Sequence, residues 1–179
     1  MVLAVTLFAA CGSTADSGTG PAPNGESAPT TPADGVLATY TEHAEIGDWH
    51  DFSGDTLDGD SIDGSTLRGK VVAMWFWAPW CTICNAEAAA VVRAARRHPD
   101  ITFLGIAGRD SRDAMQMFVD QYRIGFPTLV DEGGDVWQHF GVSGQPAWVF
   151  VTASGDVHRV LGSPNDSELE QVLDALPAA

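Results

Sequence analysis

Basic residues are scarce in this chain. Nine Lys and Arg stand against twenty-four Asp and Glu, giving a net charge of −15 over 179 residues and an isoelectric point near 4.3. No basic run exists, and the nearest approach is Arg93, Arg96 and Arg97 on one predicted helix. That argues against nucleic acid or an anionic membrane surface as partner, because both need a basic patch. The acidity itself is read as a device for solubility. Cysteine is scarce too. Cys11, Cys81 and Cys84 are too few, and odd in number, for a disulfide framework in a chain this long. The apolar N-terminal stretch, Met1 to Ala10, is too short to span a bilayer as a helix. There is no internal repeat. What is present is 45% hydrophobic, enough for a real core, in a length that suits one domain plus a tail.

MVLAVTLFAAC opens the chain, almost wholly apolar and ending in the small residues Ala9 and Ala10. This fits the apolar region of a secretory signal. The first basic residue is Arg68, so the positive flank of such a signal is missing, and the true start is expected upstream of Met1. LFAAC followed by GSTADSGTG resembles a bacterial lipoprotein signal, which implies a lipidated Cys11. The alternative is a chance or buried cysteine in a loose end. Residues 12 to 35 are rich in Gly, Ser, Thr, Pro and Ala and cannot bury enough surface to order themselves, so they read as a tether. The expected organisation is a signal segment over 1–11, a tether over 12–35 and one domain over 36–179.

DFSGDTLDGDSIDGSTLRGK carries turn signals at Ser53-Gly54, Asp58-Gly59 and Asp63-Gly64, with apolar points at Phe52, Leu57 and Ile62. It predicts a small hairpin leading into a turn. Val71 to Ala78 is a continuous apolar run, expected as a strand buried on both faces. Cys81 to Arg97 is alanine-rich and helical, with arginines in its last turns. A second buried strand is predicted over Ile101 to Gly108. A helix then follows from Ser111 to Tyr122, capped by Asp110 or Ser111, whose stripe of Met115, Phe118, Val119 and Tyr122 reads as core. A short strand and turn in FPTLVDEGG, a short helix or turn in GDVWQHFGV, a hairpin around Ser154-Gly155-Asp156 and a helix over Asp166 to Leu176 complete an α/β fold, a mixed central sheet with helices on both faces.

Cys81 and Cys84 close the segment WFWAPWCTIC. A zinc site would need a second pair of ligands, but Cys11 lies in the tail, and His43, His50, His98, His139 and His158 show no paired spacing. A structural staple across two residues closes almost no loop and removes little unfolded-state entropy. A redox pair has a physical basis. At a strand-to-helix junction Cys81 meets free N–H groups and the helix dipole, which favour the thiolate. Cys84, one turn further in and shielded, is placed to resolve a mixed disulfide.

Strand, W-C-x-x-C, helix and the later hairpin together resemble the thioredoxin fold. WFWAPWCTICNAEA, the FSGDTLDG and LRGK lead-in and GVSGQPAWVF are similar to the extracytoplasmic TlpA/DsbE-like thiol-disulfide oxidoreductases, in particular the secreted DsbE/DsbF type, over about Glu45 to Leu176. The resemblance implies a cis-proline ahead of the final hairpin. Pro127 precedes only a short segment and DEGG and reads as an ordinary strand entry, so Gln145-Pro146 is the expected cis bond. Its Gln145 backbone is expected to pair with bound substrate, and Trp80 to stand at the site's rim. Cytoplasmic thioredoxins carry a buried carboxylate six residues before the first cysteine, where this chain has Trp75. TlpA-like proteins tend to place a Glu three residues after the second cysteine, as Glu87 is here. Helical spacing puts Glu87 on the face of Cys84, where it could take that cysteine's proton; the alternative is an ordinary surface Glu.

The resemblance implies an exported enzyme, anchored through Cys11, that needs no cofactor beyond its cysteine pair. It would exchange disulfides with the thiols of secreted or membrane-exposed proteins and be recycled by a membrane redox partner. The expected direction is oxidation of folding proteins. One alternative is reduction of specific targets such as apocytochrome c. Another is a non-catalytic module that holds an extended peptide. A peroxiredoxin-like enzyme would carry Thr where Ala78 stands.

Overall fold

The computed structural model describes residues 35–36 and 39–176. Met1, Cys11 and the tether up to residue 34 lie outside these residues. The chain runs through β1 (Glu42–His43), β2 (Ser53–Asp55), β3 (Ser61–Asp63), a 3-10 turn (Gly64–Leu67), β4 (Val72–Trp77) and α1 (Thr82–Arg97). It continues through β5 (Thr102–Gly108), α2 (Arg112–Tyr122), β6 (Thr128–Asp131), α3 (Asp135–His139), β7 (Ala147–Val151), β8 (Val157–Leu161) and α4 (Asp166–Ala175).

The six-stranded sheet has the order β1-β8-β7-β4-β5-β6. β4, β5 and β6 are parallel; β7, β8 and β1 run against their neighbours. The reason β4 lies at the centre is its sequence, VAMWFW, every residue of which is buried. Successive side chains point to opposite faces. Ala73, Trp75 and Trp77 enter one core with Ala88 and Val91 of α1, Met115 and Phe118 of α2, and Val172 of α4. Val72, Met74 and Phe76 enter a second core with Val136 and Trp137 of α3 and with Trp49, Phe52 and Leu67 of the lead-in. Burying a Phe or Met side chain fully contributes roughly 1.5–3 kcal/mol, and an apolar residue at every position lets both cores form around one strand. This is the mixed sheet with helices on both faces that the sequence predicts.

Two local readings change. β1 is not signalled in the sequence, because two residues carry no period. It exists because β8 offers an edge, and Glu42 and His43 pair with Arg159 and His158 there. Ser53-Gly54, read as a turn, lies within β2. Gly54 is needed there for close packing rather than turning: a Cβ on it would stand 3.1 Å from the Leu129 side chain. The hairpin's actual turn holds Gly59, at φ +89°. The boundaries predicted for the three long helices hold to within a residue, and Ser111, rather than Asp110, caps α2 by accepting from the Ala114 N–H.

Candidate active site

The loop that leaves β4 ends at Cys81, which is the N-cap of α1. Its backbone is extended (φ −74°, ψ 111°) and its Sγ accepts the Cys84 N–H at 3.1 Å. Cys81 and Cys84 are joined in a disulfide, with Cα atoms 5.2 Å apart. Cys81 keeps 6% of its surface exposed and Cys84 none, so of the two cysteines only the first reaches the surface. No acidic residue occupies the first turn of α1. The positive end of the helix and the Cys84 N–H therefore act on Cys81 without a competing anion, and on reduction both favour its thiolate.

Asn85 locks this loop to the helix. Its Nδ2 donates to the carbonyls of Pro79 (3.0 Å) and Cys81 (2.8 Å), and its Oδ1 accepts from the Tyr122 hydroxyl at 2.8 Å. The amphipathic stripe correctly places Tyr122 against the core, but its ring also carries a hydroxyl to the redox loop. The position of Asn85, four residues after Cys81, was the available clue.

Trp80 and Ile83 flank the disulfide and are 57% and 55% exposed, whereas Trp77 is wholly buried. The Trp80 indole donates to the Arg109 carbonyl at 3.2 Å. Arg109 takes a left-handed backbone, φ +60°. Its guanidinium donates to the Ser143 carbonyl at 3.0 Å and stacks on the Trp137 ring, 4.7 Å from the centroid. Three loops are thus tied together beside the cysteines: those after β4, after β5 and before β7. The Gln145-Pro146 peptide is cis. The pairing of Phe76 with Ala147 sets Pro146 level with Trp77, at the end of β4 that feeds the cysteine loop. The Pro146 carbonyl accepts from the Gly162 N–H at 2.9 Å.

Glu87 does lie on the cysteine-bearing helix, but its carboxylate is engaged elsewhere. Trp75 Nε1 donates to Oε1 at 2.6 Å, and the Ser163 hydroxyl donates to Oε2. Burial holds the Glu87 pKa above the ordinary carboxylate value, and the donors from Ser163 and Trp75 oppose that rise. Trp75 and Glu87, singled out separately in the sequence, are thus partners in one hydrogen bond.

Among the described residues no group of three or more His, Cys, Asp or Glu side chains could hold a metal ion. The fold does bring histidines together that the sequence leaves scattered. His43 and His158 face each other across β1 and β8 with ring centroids 5.6 Å apart. His50 and His139 line one cavity of about 350 Å³.

Comparison with known proteins agrees with this geometry. Residues 47–160 match the family described as "AhpC/TSA family". The soluble secreted antigen MPT53 of Mycobacterium tuberculosis is 45% identical over 104 residues, which is 58% of this chain and 60% of the antigen. The chain thus spans about three fifths of that relative's length. Thiol-disulfide oxidoreductase ResA of Bacillus thuringiensis is 27% identical over 139 residues, 75% of this chain and 80% of ResA. The solved structure of MTB DsbF in mixed oxidised and reduced forms superimposes with a TM-score of 0.71 at 45% identity, covering 72% of this chain and 97% of that one. A secreted Mycobacterium tuberculosis disulfide oxidoreductase homologous to E. coli DsbE gives 0.70 at 39% identity, covering 73% and 99%.

Proposed function

Because the chain belongs to the AhpC/TSA family of thioredoxin-like proteins, we propose that it is an extracytoplasmic thiol-disulfide oxidoreductase working through Cys81 and Cys84. One observation carries the reading: a disulfide whose first cysteine caps α1 and keeps a little exposed surface, while the second is sealed. The names of the relatives, thiol-disulfide oxidoreductase and secreted disulfide oxidoreductase, support it, as does the secreted nature of MPT53 for the location.

In the oxidising direction, a substrate thiolate attacks Cys81 Sγ. The Cys81–Cys84 bond breaks, and the electron pair and then a proton go to Cys84. A second substrate thiolate attacks the substrate sulfur of the mixed disulfide and releases Cys81 as a thiolate. The substrate loses two electrons and the protein gains them. The Cys81 thiolate is a good leaving group because the Cys84 N–H and the helix end hold its charge. Glu87 is the proposed group that gives the proton to Cys84 and takes it back in the reverse direction; burial favours its holding a proton. Trp80 and the Gln145-Pro146 edge are the proposed substrate contacts, the exposed indole offering apolar surface and Gln145 a backbone edge. The substrates are protein thiols outside the cytoplasm. Lipidation of Cys11, attachment to the membrane and recycling by a membrane redox partner complete the proposal.

We favour oxidation over reduction of specific targets, because the buried strand position that holds the proton acceptor in cytoplasmic thioredoxins is Trp75 here. The test is a titration of the described domain in glutathione redox buffers, read by tryptophan fluorescence. A potential above the glutathione pool is expected, and a strongly negative value would reverse the direction. Cys84→Ser, which keeps only the attacking thiol, is expected to accumulate a mixed disulfide with a disulfide-bonded peptide on non-reducing gels, and Cys81→Ala none. A cellular role left untouched by Cys81→Ala would leave only a peptide-holding module.

A further inference from the structure

Glu87 is held from two sides by elements far apart in the chain. Trp75 is fixed in the centre of β4, fully buried and ringed by Trp77, Phe118 and Trp148. Its indole N–H has one direction to point, and that direction is Glu87 Oε1. The second donor, Ser163, is different in kind. It is exposed, it belongs to the short loop between β8 and α4, and its hydroxyl reaches Glu87 Oε2 across 76 positions of sequence.

That loop is anchored on both sides of Ser163. Before it, Gly162 adopts φ +125°, a region that favours glycine, and its N–H donates to the carbonyl of the cis residue Pro146. After it, Asn165 opens α4 with a capping box: its side chain accepts from the Ser167 and Glu168 N–H groups, and Glu168 returns a bond to the Asn165 N–H. The backbone that carries Ser163 is therefore held on both sides by main-chain and capping bonds. It links the acid on α1 to the strand edge that begins at Pro146.

We infer that Ser163 is a positioning residue for the redox reaction, its hydroxyl holding the Glu87 carboxylate in place for proton exchange with Cys84. This rests on the reading of Glu87 as the proton-exchange group. A carboxylate in a half-buried site must be oriented, and it must remain able to ionise. Trp75 alone fixes one oxygen and leaves the other without a described donor. The groups that face Glu87 are neutral, an indole from β4 and a hydroxyl from the β8–α4 loop. No Lys, Arg or His pairs with it among the described residues. With no cation to hold the charge, hydrogen bonds to the ionised form are what oppose desolvation, and Ser163 supplies one of the two.

The experiment follows the reduced protein as it reacts with excess oxidised glutathione. In the first phase the Cys81 thiolate attacks oxidised glutathione, forms the mixed disulfide and releases one glutathione; in the second the Cys84 thiol gives up its proton, attacks Cys81 Sγ and releases the other glutathione as a thiolate. The resolution phase is measured across pH for the unaltered protein, Ser163→Ala, Ser163→Thr and Glu87→Gln, each checked by thermal melting. Ser163→Ala is expected to move the acid limb of the resolution profile to higher pH. Resolution on that limb should slow about two- to tenfold, the worth of one hydrogen bond, with the first phase unchanged. Ser163→Thr keeps the hydroxyl and is expected to keep the profile. A Ser163→Ala profile that overlays the unaltered one, while Glu87→Gln loses the limb, refutes the role of Ser163 and spares that of Glu87. An unchanged Glu87→Gln profile overturns both.

Discussion

Trp75 and Glu87 show how much a single side chain's surroundings alter its meaning. In sequence Trp75 reads as a place where an acid is missing. In the fold it is the donor that holds another acid, on α1, at 2.6 Å. The raised pKa of Glu87 has a consequence for stability whose sign is definite. Below the ordinary carboxylate range, folded and unfolded chains both carry the proton. As pH climbs through that range the unfolded chain releases it first, so stability falls until the folded-state pKa is passed and stays lower beyond it. Glu87→Gln cannot ionise. Its melting temperature relative to the unaltered oxidised protein is therefore expected to be more favourable at pH 7 than at pH 4, measured by circular dichroism. A difference that does not vary with pH would contradict the buried-acid description. The cysteine pair and the cis bond at Pro146 were legible in the sequence through motif and resemblance. Ser163 was not, because nothing local marks a serine whose partner is 76 residues away.

Elements were legible where their period was strong. β4, β5, α1 and α2 are each long or uniformly apolar enough to announce themselves. β1 and the strand containing Ser53-Gly54 were not, because tertiary pairing decides them: one completes the edge of β8, the other packs its glycine on Leu129. The end of β5 is a third such place. Gly108 ends that strand directly under Trp137, and a Cβ there would lie 2.7 Å from the indole. Trp137 is almost completely buried and its ring supports the Arg109 guanidinium, so it has no room to retreat. Gly108→Ala is expected to cost about 1–3 kcal/mol through overpacking, seen as a lower urea midpoint of the oxidised protein. A midpoint equal to that of the unaltered chain would mean that the ring is freer than its packing indicates. α1 and α4 are joined by Arg93 to Asp166 and Arg97 to Glu170. These pairs are largely exposed and contribute little, of order 0–1 kcal/mol each; the buried faces of the helices hold them in place.

At the scale of the whole molecule, charge and sheet edges matter most. The chain's net charge of −15, most of it carried by the folded domain, strains that domain by self-repulsion, and salt screens it. The Debye length falls from about 10 Å at 0.1 M to about 3 Å at 1 M. The melting temperature is therefore expected to rise by a few degrees with added sodium chloride, and a flat response would show that the paired surface acids already balance locally. The fold class was legible because both cores share the apolar strands β4 and β7, whereas the binding of loops around the disulfide was not, since Trp80, Arg109 and Ser143 meet only in space. The sheet's outer strands carry one more consequence. β1 is two residues long and bears Glu42 and His43. At the opposite margin the Leu57 N–H donates to the Thr128 carbonyl, and Thr56 bridges to Leu129, so the rim of β6 is already stitched. Chains that still await their disulfides expose unpaired strands of their own, and such strands join any open margin they meet. With both margins blunted, this domain offers little open edge for a strand of another chain to join.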